Sequence, residues 1–358
     1  MRHILVTGGA GFIGSHLTQQ LLRAGHRVTV VDNSSTGSPR NLADVADHPQ
    51  LELVVDDAGD PELIDRLIVG VDHVYHLAAA VGVRTVIHDP LHTVVTNIMP
   101  THAILQAASR ENRRGHDVKV YLASTSEVYG KNASHEWGED DDMVFGPTSR
   151  RRWSYGVTKA IDEFLALGYF QQRGLPVVVG RFFNVVGPRQ TSAHGMVIPS
   201  MVEAALRGGP VVVHGNGQQT RCFLHVADAV AAMLELMDEP TAVGGVFNIG
   251  NNQSITIRDL AEMVVDIVNS VSTIEMREYV DEFPADFEDI PHRVPRLDRL
   301  HRTIKARPRH TLETVIHDVA KALQAESMSG AATKPLQHSR NGAAVPRSAA
   351  ASLKANSR

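Results

Sequence analysis

The sequence predicts an α/β fold, a doubly wound parallel sheet with a smaller C-terminal substrate-binding lobe. Three observations predict it. Short apolar runs alternate with helical stretches through the first half of the chain. A glycine-rich turn, Gly8-Gly9-Ala10-Gly11-Phe12-Ile13-Gly14, joins the first run to the first helix. The 358 residues are enough to bury a large core.

Taken in order, His3–Thr7 is an apolar run, and a helix pattern follows from Ser15 to Ala24. Gly25 stands where a helix-ending glycine belongs. Arg27–Val31, Leu51–Val55, Val71–Leu77, Lys119–Ala123 and Val177–Arg181 read as further buried strands. Pro90–Asn112 and Trp153–Arg173 are the main helical stretches between them. After Phe182 the pattern loosens, with helices expected at Ile198–Arg207 and Ile257–Asn269. Val226–Met237 and Val246–Ile249 are expected to return to the first lobe. The expected division is 1–181 for the first domain, 182–326 for the second lobe and 327–358 for a disordered basic tail.

Composition narrows the class. The net charge of −5 argues against a polyanion partner, and no basic stripe suggests nucleic acid. The tail carries Lys334, Arg340, Arg347, Lys354 and Arg358 without an acidic residue, and is read as a solvated extension. The one cysteine, Cys222, excludes an internal disulfide and fits a reducing compartment. The first residues lack a signal-peptide pattern and no run is long and apolar enough to span a membrane. A cytoplasmic enzyme is the expectation. The 19 histidines form no metal-ligand spacing, so no metal is expected. His16 and His225 are read as structural.

The glycine turn sits between a strand and a helix, the context in which such a motif cradles a pyrophosphate. Its spacing is G-x-x-G-x-x-G, with Gly8, Gly11 and Gly14 in phase. Asp32 ends the second strand, where a carboxylate bonds a ribose 2′-hydroxyl and repels a 2′-phosphate. Together they indicate NAD on a Rossmann-type domain. Downstream, Tyr155-Gly-Val-Thr-Lys159 places a phenol and an ammonium one helical turn apart. The cation, together with the positive nicotinamide ring of NAD, is expected to draw the phenol toward ionisation, so that it takes a proton from a hydroxyl being oxidised.

These motifs resemble the extended short-chain dehydrogenase/reductases that act on nucleotide sugars, over Met1 to Leu323. The resemblance implies that Asn33, Asp57, Ala58, Leu77, Ala78 and Ala79 join Phe12 and Ile13 along the cofactor. The segment Thr125-Ser126-Glu127 follows the strand at 119. In the family a hydroxyl at Thr125 meets the reacting sugar oxygen. Sugar 4,6-dehydratases carry Thr-Asp-Glu there, and simple 4-epimerases usually lack the Glu. Thr-Ser-Glu is similar to the UDP-glucuronate decarboxylases, as is Asp289-Ile-Pro-His-Arg293-Val-Pro. A guanidinium at Arg293 suits a substrate carboxylate, although epimerases place an Arg here on the diphosphate.

The resemblance also implies a substrate set. It comprises Arg84, Asn184 and Arg189 of the Arg181–Arg189 loop, Val197, Val213, His214, Arg221 and Arg293. Asn184 and Arg221 would meet the diphosphate of a UDP-sugar, and His214 replaces the family's usual Tyr. The helices at 90 and 153 resemble a pair that packs into a dimeric bundle, so a homodimer is expected. The resulting expectation is decarboxylation of UDP-glucuronate to UDP-xylose by C4 oxidation, loss of carbon dioxide and re-reduction, with some 4-keto pentose escaping if re-reduction is slow. Tyr155, Lys159, Thr125, Ser126, Glu127 and Arg293 would carry it. A UDP-glucose or UDP-glucuronate 4-epimerase shares the same Tyr155 and Lys159 chemistry. A non-catalytic NAD-binding protein on the same fold is the reading from another class.

Overall fold

The computed structural model describes residues 1–82, 86, 89–193, 195–281 and 288–328. Its first half builds the sheet. The strands and helices are β1 (His3–Thr7), α1 (Phe12–Arg23), β2 (Arg27–Val31), β3 (Leu51–Val54), α2 (Pro61–Leu67), β4 (His73–His76), α3 (Pro90–Arg113), β5 (Lys119–Thr125), α4 (Ser154–Arg173) and β6 (Val177–Phe182). The second half adds β7 (Val185–Val186), α5 (Val197–Leu206), β8 (Val211–His214), β9 (Thr220–Cys222), β10 (Leu224–His225), α6 (Val226–Asp238), β11 (Val246–Ile249), β12 (Ser254–Thr256), α7 (Ile257–Ile267), β13 (Ile274–Arg277), β14 (His292–Arg293), α8 (Asp298–Thr303) and α9 (Leu312–Met328).

Seven strands form one parallel sheet in the order β11-β6-β5-β4-β1-β2-β3. The chain reverses direction across the sheet between β1 and β4. The carboxyl ends of those strands therefore splay apart into a crevice. Strand parity decides which helix meets which residue. Ile4 and Val6 of β1 pack with Leu17, Leu21 and Leu22 of α1 and with Val230, Met233 and Leu236 of α6. Leu5, between them, faces Ile64 of α2, Ile104 and Leu105 of α3, and Ala166 of α4. Burying each Leu or Ile contributes roughly 1.5–3 kcal/mol, and both faces of the sheet are covered.

Residues beyond 182 serve two places. α6 and β11 complete the large sheet and its outer layer, with Val246–Ile249 paired in parallel to Val179–Phe182. The remainder forms a lobe with its own core of Ile198, Val202, Val211, Val213, Leu260, Val264, Val315 and Ile316. Its strands form small pairings, β8 with β13 and β9 with both β12 and β14. A fourth cluster of Val128, Tyr129, Trp137, Trp153, Phe183 and Ile290 joins the lobe to the sheet.

Element ends differ from expectation for local reasons. α1 begins at Phe12 rather than Ser15, because Gly11 is its N-cap. β4 is His73–His76, shorter than Val71–Leu77. α9 runs to Met328, so Ser327 and Met328 are helical; residues 329–358 of the expected tail lie outside the described residues.

Candidate active site

The glycine turn holds the backbone closer than side chains allow. A Cβ on Gly14 would stand 2.1 Å from the carbonyl oxygen of Gly8. No side chain caps α1, so its first N–H groups remain available to an anion in the crevice. Asp32, 6 % exposed, accepts hydrogen bonds from the Ala10 N–H at 3.0 Å and the Ser34 N–H at 2.8 Å. It thereby locks the turn to the end of β2. Gly8, Gly11, Phe12, Ile13, Gly14, Asp32, Asn33, Asp57, Ala58, Leu77, Ala78, Ala79, Tyr155 and Lys159 all line one cleft with Thr125. The cradle, the carboxylate and the bare helix end fit a dinucleotide such as NAD. Sequence reasoning missed Ser35 and Thr36, which follow Asp32 into the same wall, and Thr96 and Pro100, which α3 contributes.

At the inner end of the cleft, β5 ends at Thr125 and a short 3-10 turn over Ser126–Tyr129 carries Glu127. The Thr125 hydroxyl accepts from the Glu127 N–H at 3.2 Å and is hydrogen-bonded to the Tyr155 phenol. Gly156 lets α4 press this close, since a Cβ there would lie 2.5 Å from the Glu127 carbonyl oxygen. Ser126 is buried beside them.

Glu127 is buried between two guanidinium groups. Arg152 Nη1 donates to Oε2 at 2.5 Å, and Arg293 Nη1 meets Oε1 at 2.5 Å. Burial alone would raise its pKa. Arg152 and Arg293 outweigh it and hold the carboxyl at about 2. The Nε atoms of both arginines are buried without a hydrogen-bond partner. Arg152 escaped the sequence reading because nothing in Arg150-Arg151-Arg152 singles out one of the three. The fold does so by burying Arg152 against the Trp153 ring, 5.4 Å from its centroid.

The Lys159 ammonium is paired within α4. Lys159 Nζ donates to Asp162 Oδ2 at 2.9 Å, and both side chains are buried. Burial, and secondarily the charge of Glu127, push the Tyr155 phenol well above its ordinary value; the Thr125 hydrogen bond opposes them only in part. The signal for Asp162 was present in the sequence: it lies three residues after Lys159, on the same helix face.

The substrate-side residues divide into groups. Arg221 and Arg293 are register neighbours on β9 and β14. Arg221 donates to Asp289 at 2.9 Å, and the Tyr279 hydroxyl donates to the other oxygen of Asp289 at 2.7 Å. Burial first and Arg293 second lower Arg221 to about 10. His214 stacks on Tyr279 with ring centroids 5.7 Å apart. Asn184, at φ +32°, donates its amide to the Cys222 carbonyl at 2.9 Å. Val197 opens α5 and is partly exposed. Arg189 lies toward the glycine turn, donating to Ser15 Oγ at 3.2 Å, rather than beside Glu127. Val213 differs from its expected place: its side chain is fully buried in the second lobe's core. Neighbours on a strand face opposite ways, so Val213 and His214 cannot present side chains to one ligand. Arg84 lies outside the described residues.

The arrangement therefore couples the cleft beside the glycine turn to a buried phenol, a hydroxyl and a carboxylate flanked by guanidinium groups. Residues 5–322 match the family described as GDP-mannose 4,6 dehydratase. The chain belongs to that family. Within curated sequences it is 39% identical over 308 residues to a UDP-N-acetyl-alpha-D-glucosaminuronate decarboxylase of Bacillus cytotoxicus, covering 86% of this chain and 93% of the relative. It is 33% identical over 353 residues to UDP-glucuronic acid decarboxylase 1 of Danio rerio, covering 99% and 78%. The fold is also shared with UDP-glucuronic acid 4-epimerase from Bacillus cereus, solved with UDP-glucuronic acid and NAD. That likeness has a TM-score of 0.80 and 27% identity over 90% of this chain and 99% of that one. DesIV, a dTDP-glucose 4,6-dehydratase from Streptomyces venezuelae solved with NAD, matches with a TM-score of 0.81 and 27% identity over 94% and 100%.

Proposed function

We propose that this protein is an NAD-dependent decarboxylase that converts UDP-glucuronate to UDP-xylose and carbon dioxide. The observation that carries the reading is Glu127 held between Arg152 and Arg293, beside the Thr125–Tyr155 hydrogen bond. With Arg221 and Asp289 the cluster holds three guanidinium groups against two carboxylates. An excess of buried positive charge suits a substrate that brings a carboxylate and a diphosphate.

NAD, when bound, supplies the two-electron oxidation at C4 of the sugar and the matching reduction. Tyr155, which the positive charge brought by NAD would draw to ionisation, takes the proton of the 4-hydroxyl, and Thr125 steadies the same oxygen. The C4 ketone leaves the C5 carboxylate β to a carbonyl. The bond from C5 to the carboxyl carbon then breaks, and its electron pair passes into the enolate. Arg293 and Arg152 hold the departing carboxylate. Glu127, ionised at neutral pH, fixes both guanidinium groups at C5, and with Ser126 it steers the proton that C5 takes from water. Tyr155 returns its proton to the 4-oxygen. Asn184, Val197, His214 and Arg221 line the path for the UDP portion, with Arg221 on the diphosphate.

We further read the protein as a homodimer. Leu91, Val95 and Met99 recur along α3, and Val157, Ile161 and Phe164 along α4, all with exposed side chains. These two helices lie side by side, so their apolar residues suit a second copy. The reduced, buried Cys222 fits the cytoplasm.

The 4-epimerase is the second reading, favoured by the solved relative that holds UDP-glucuronic acid. Incubating the protein with NAD and UDP-glucuronate separates the two. Carbon dioxide release with a product lighter by that mass is expected; an isomer of unchanged mass overturns decarboxylation. A parallel incubation with UDP-N-acetylglucosaminuronate decides which uronate is preferred. Glu127→Gln is expected to lose most of the turnover, and full activity would remove Glu127 from the mechanism.

A further inference from the structure

Asn248 is fully buried in β11, between the apolar Phe247 and Ile249 of the sheet's core. A buried amide is costly unless its hydrogen-bonding capacity is met. Three separate segments meet it here. The Asn248 side-chain oxygen accepts from the Tyr129 hydroxyl at 2.7 Å. Its nitrogen donates to the Trp137 carbonyl at 2.8 Å and to the Arg296 carbonyl at 3.2 Å. Tyr129 ends the 3-10 turn that carries Glu127, and Arg296 follows shortly after Arg293 of β14. We propose that Asn248 is a positioning residue for the loss of carbon dioxide: its amide ties the turn bearing Glu127 to the segment bearing Arg293, and so holds that guanidinium where the C5 carboxylate is to lie. This rests on the reading of Glu127 and Arg293 as the groups at C5.

Both ends of the tie are fixed. The Tyr129 ring packs against Trp137 and Phe183, with centroids 5.1 and 6.1 Å away, and the Arg181 guanidinium lies 4.8 Å over it. The hydroxyl therefore reports the place of the whole turn. On the other side, the Trp137 N–H donates to the Val294 carbonyl and the Arg296 N–H to the Trp137 carbonyl, each at 2.8 Å. Gly250 lets the end of β11 press on the same segment, since a Cβ there would stand 2.9 Å from Pro295 Cγ. Pairing of β14 with β9 joins Arg293 to the second lobe. Asn248, in register with Arg181 of β6, joins it to the large sheet. The ion pairs of Arg296 with Asp141 at 3.8 Å and of Arg299 with Asp140 at 2.5 Å are partly exposed and contribute less.

The groups at C4 are anchored elsewhere. Thr125 closes β5 opposite Phe182 of β6, and Tyr155 stands on α4, which packs on the sheet through Ala166. Losing the Asn248 amide thus disturbs what holds the carboxylate more than what oxidises C4. Orientation matters at C5. The bond to the carboxyl carbon breaks fastest when it stands perpendicular to the plane of the C4 carbonyl, because its electron pair then enters the π system. A guanidinium held in one place selects that orientation. A loosened one leaves the ketone to persist.

The test is a rapid-mixing single turnover of the full-length protein with NAD and UDP-glucuronate, following NADH absorbance and carbon dioxide in parallel. Asn248→Ala removes the amide; Tyr129→Phe removes only its bond to the Glu127 turn and keeps the ring. Carbon dioxide release is expected to slow by about tenfold or more in Asn248→Ala and by about threefold or more in Tyr129→Phe, with NADH formation within about twofold in both. Calorimetry with NADH present gives a readout without turnover. Affinity for UDP-glucuronate relative to UDP-glucose is expected to fall by about fivefold in Asn248→Ala, since only the first brings a carboxylate. Equal slowing of the two steps in Tyr129→Phe, or an unchanged ratio of the two in both variants, overturns the proposal while leaving the decarboxylase reading intact. An unmodified protein that forms NADH but releases no carbon dioxide from UDP-glucuronate or UDP-N-acetylglucosaminuronate overturns that reading, and the proposal with it.

Discussion

Arg152 and Glu127 meet Nη1 to Oε2 at 2.5 Å with both side chains buried, and Arg293 closes on the other oxygen. The carboxyl is held at about 2, below its ordinary 4.5. A depressed carboxyl stabilises the fold fully above the unfolded value, and that contribution is lost as pH falls through the folded one. Stability from Glu127 is thus expected to disappear between about pH 4.5 and 2, on the order of 3 kcal/mol. Arg152→Met leaves Glu127 with Arg293 alone. Urea denaturation across pH is expected to show the same onset near the unfolded value but a smaller loss, complete at a higher pH than in the unmodified protein.

Cofactor affinity tests the glycine cradle. Gly14→Ala puts a methyl where the Gly8 carbonyl stands. Calorimetry with NAD is expected to show affinity reduced by well over tenfold, about 1.4 kcal/mol for each factor of ten. Asp32→Asn keeps one acceptor oxygen where two backbone N–H groups are now bound. It is expected to weaken NAD without creating NADP binding.

The apolar residues of α3 and α4 make the assembly testable. Met99→Glu with Phe164→Glu places charges on two side chains exposed at 52% and 66%. Sedimentation is expected to show a dimer for the unmodified chain and a monomer for the double variant, at unchanged helix content.

A second buried ion pair underlies the site. Arg181 reaches Glu163 through Nε and Nη2, and Ser124, next to Thr125, is hydrogen-bonded to the same carboxylate. Glu163→Gln leaves the guanidinium buried without its counter-charge. It is expected to cost about 3–5 kcal/mol in denaturant unfolding.

Much of this was legible because buried parallel strands are uniformly apolar. His3–Thr7 and Arg27–Val31 were readable to the residue, since turns bound both. The cleft wall was readable because the glycine turn and Asp32 constrain one another locally. What escaped depends on contacts between distant segments. Arg152 is indistinguishable from Arg150 and Arg151 until α4 turns it inward against Glu127. Arg293 was found by motif, but not its alignment with Arg221, which needs β9 beside β14. The burial of Val213 follows from its alternation with the partly exposed His214 along β8.

The pairing of β11 with β6 has a consequence for how the chain is made. Every cleft-lining residue from Gly8 to Phe182 leaves the ribosome before Val246 does. Until residues 246–249 emerge, β6 presents an open edge next to β5, with α6 also missing from the layer over β1. An unpaired apolar edge invites association with other chains. The nascent protein thus passes through an interval in which the glycine turn is synthesised while its sheet is unfinished. A fragment ending at residue 181 would be arrested in that interval.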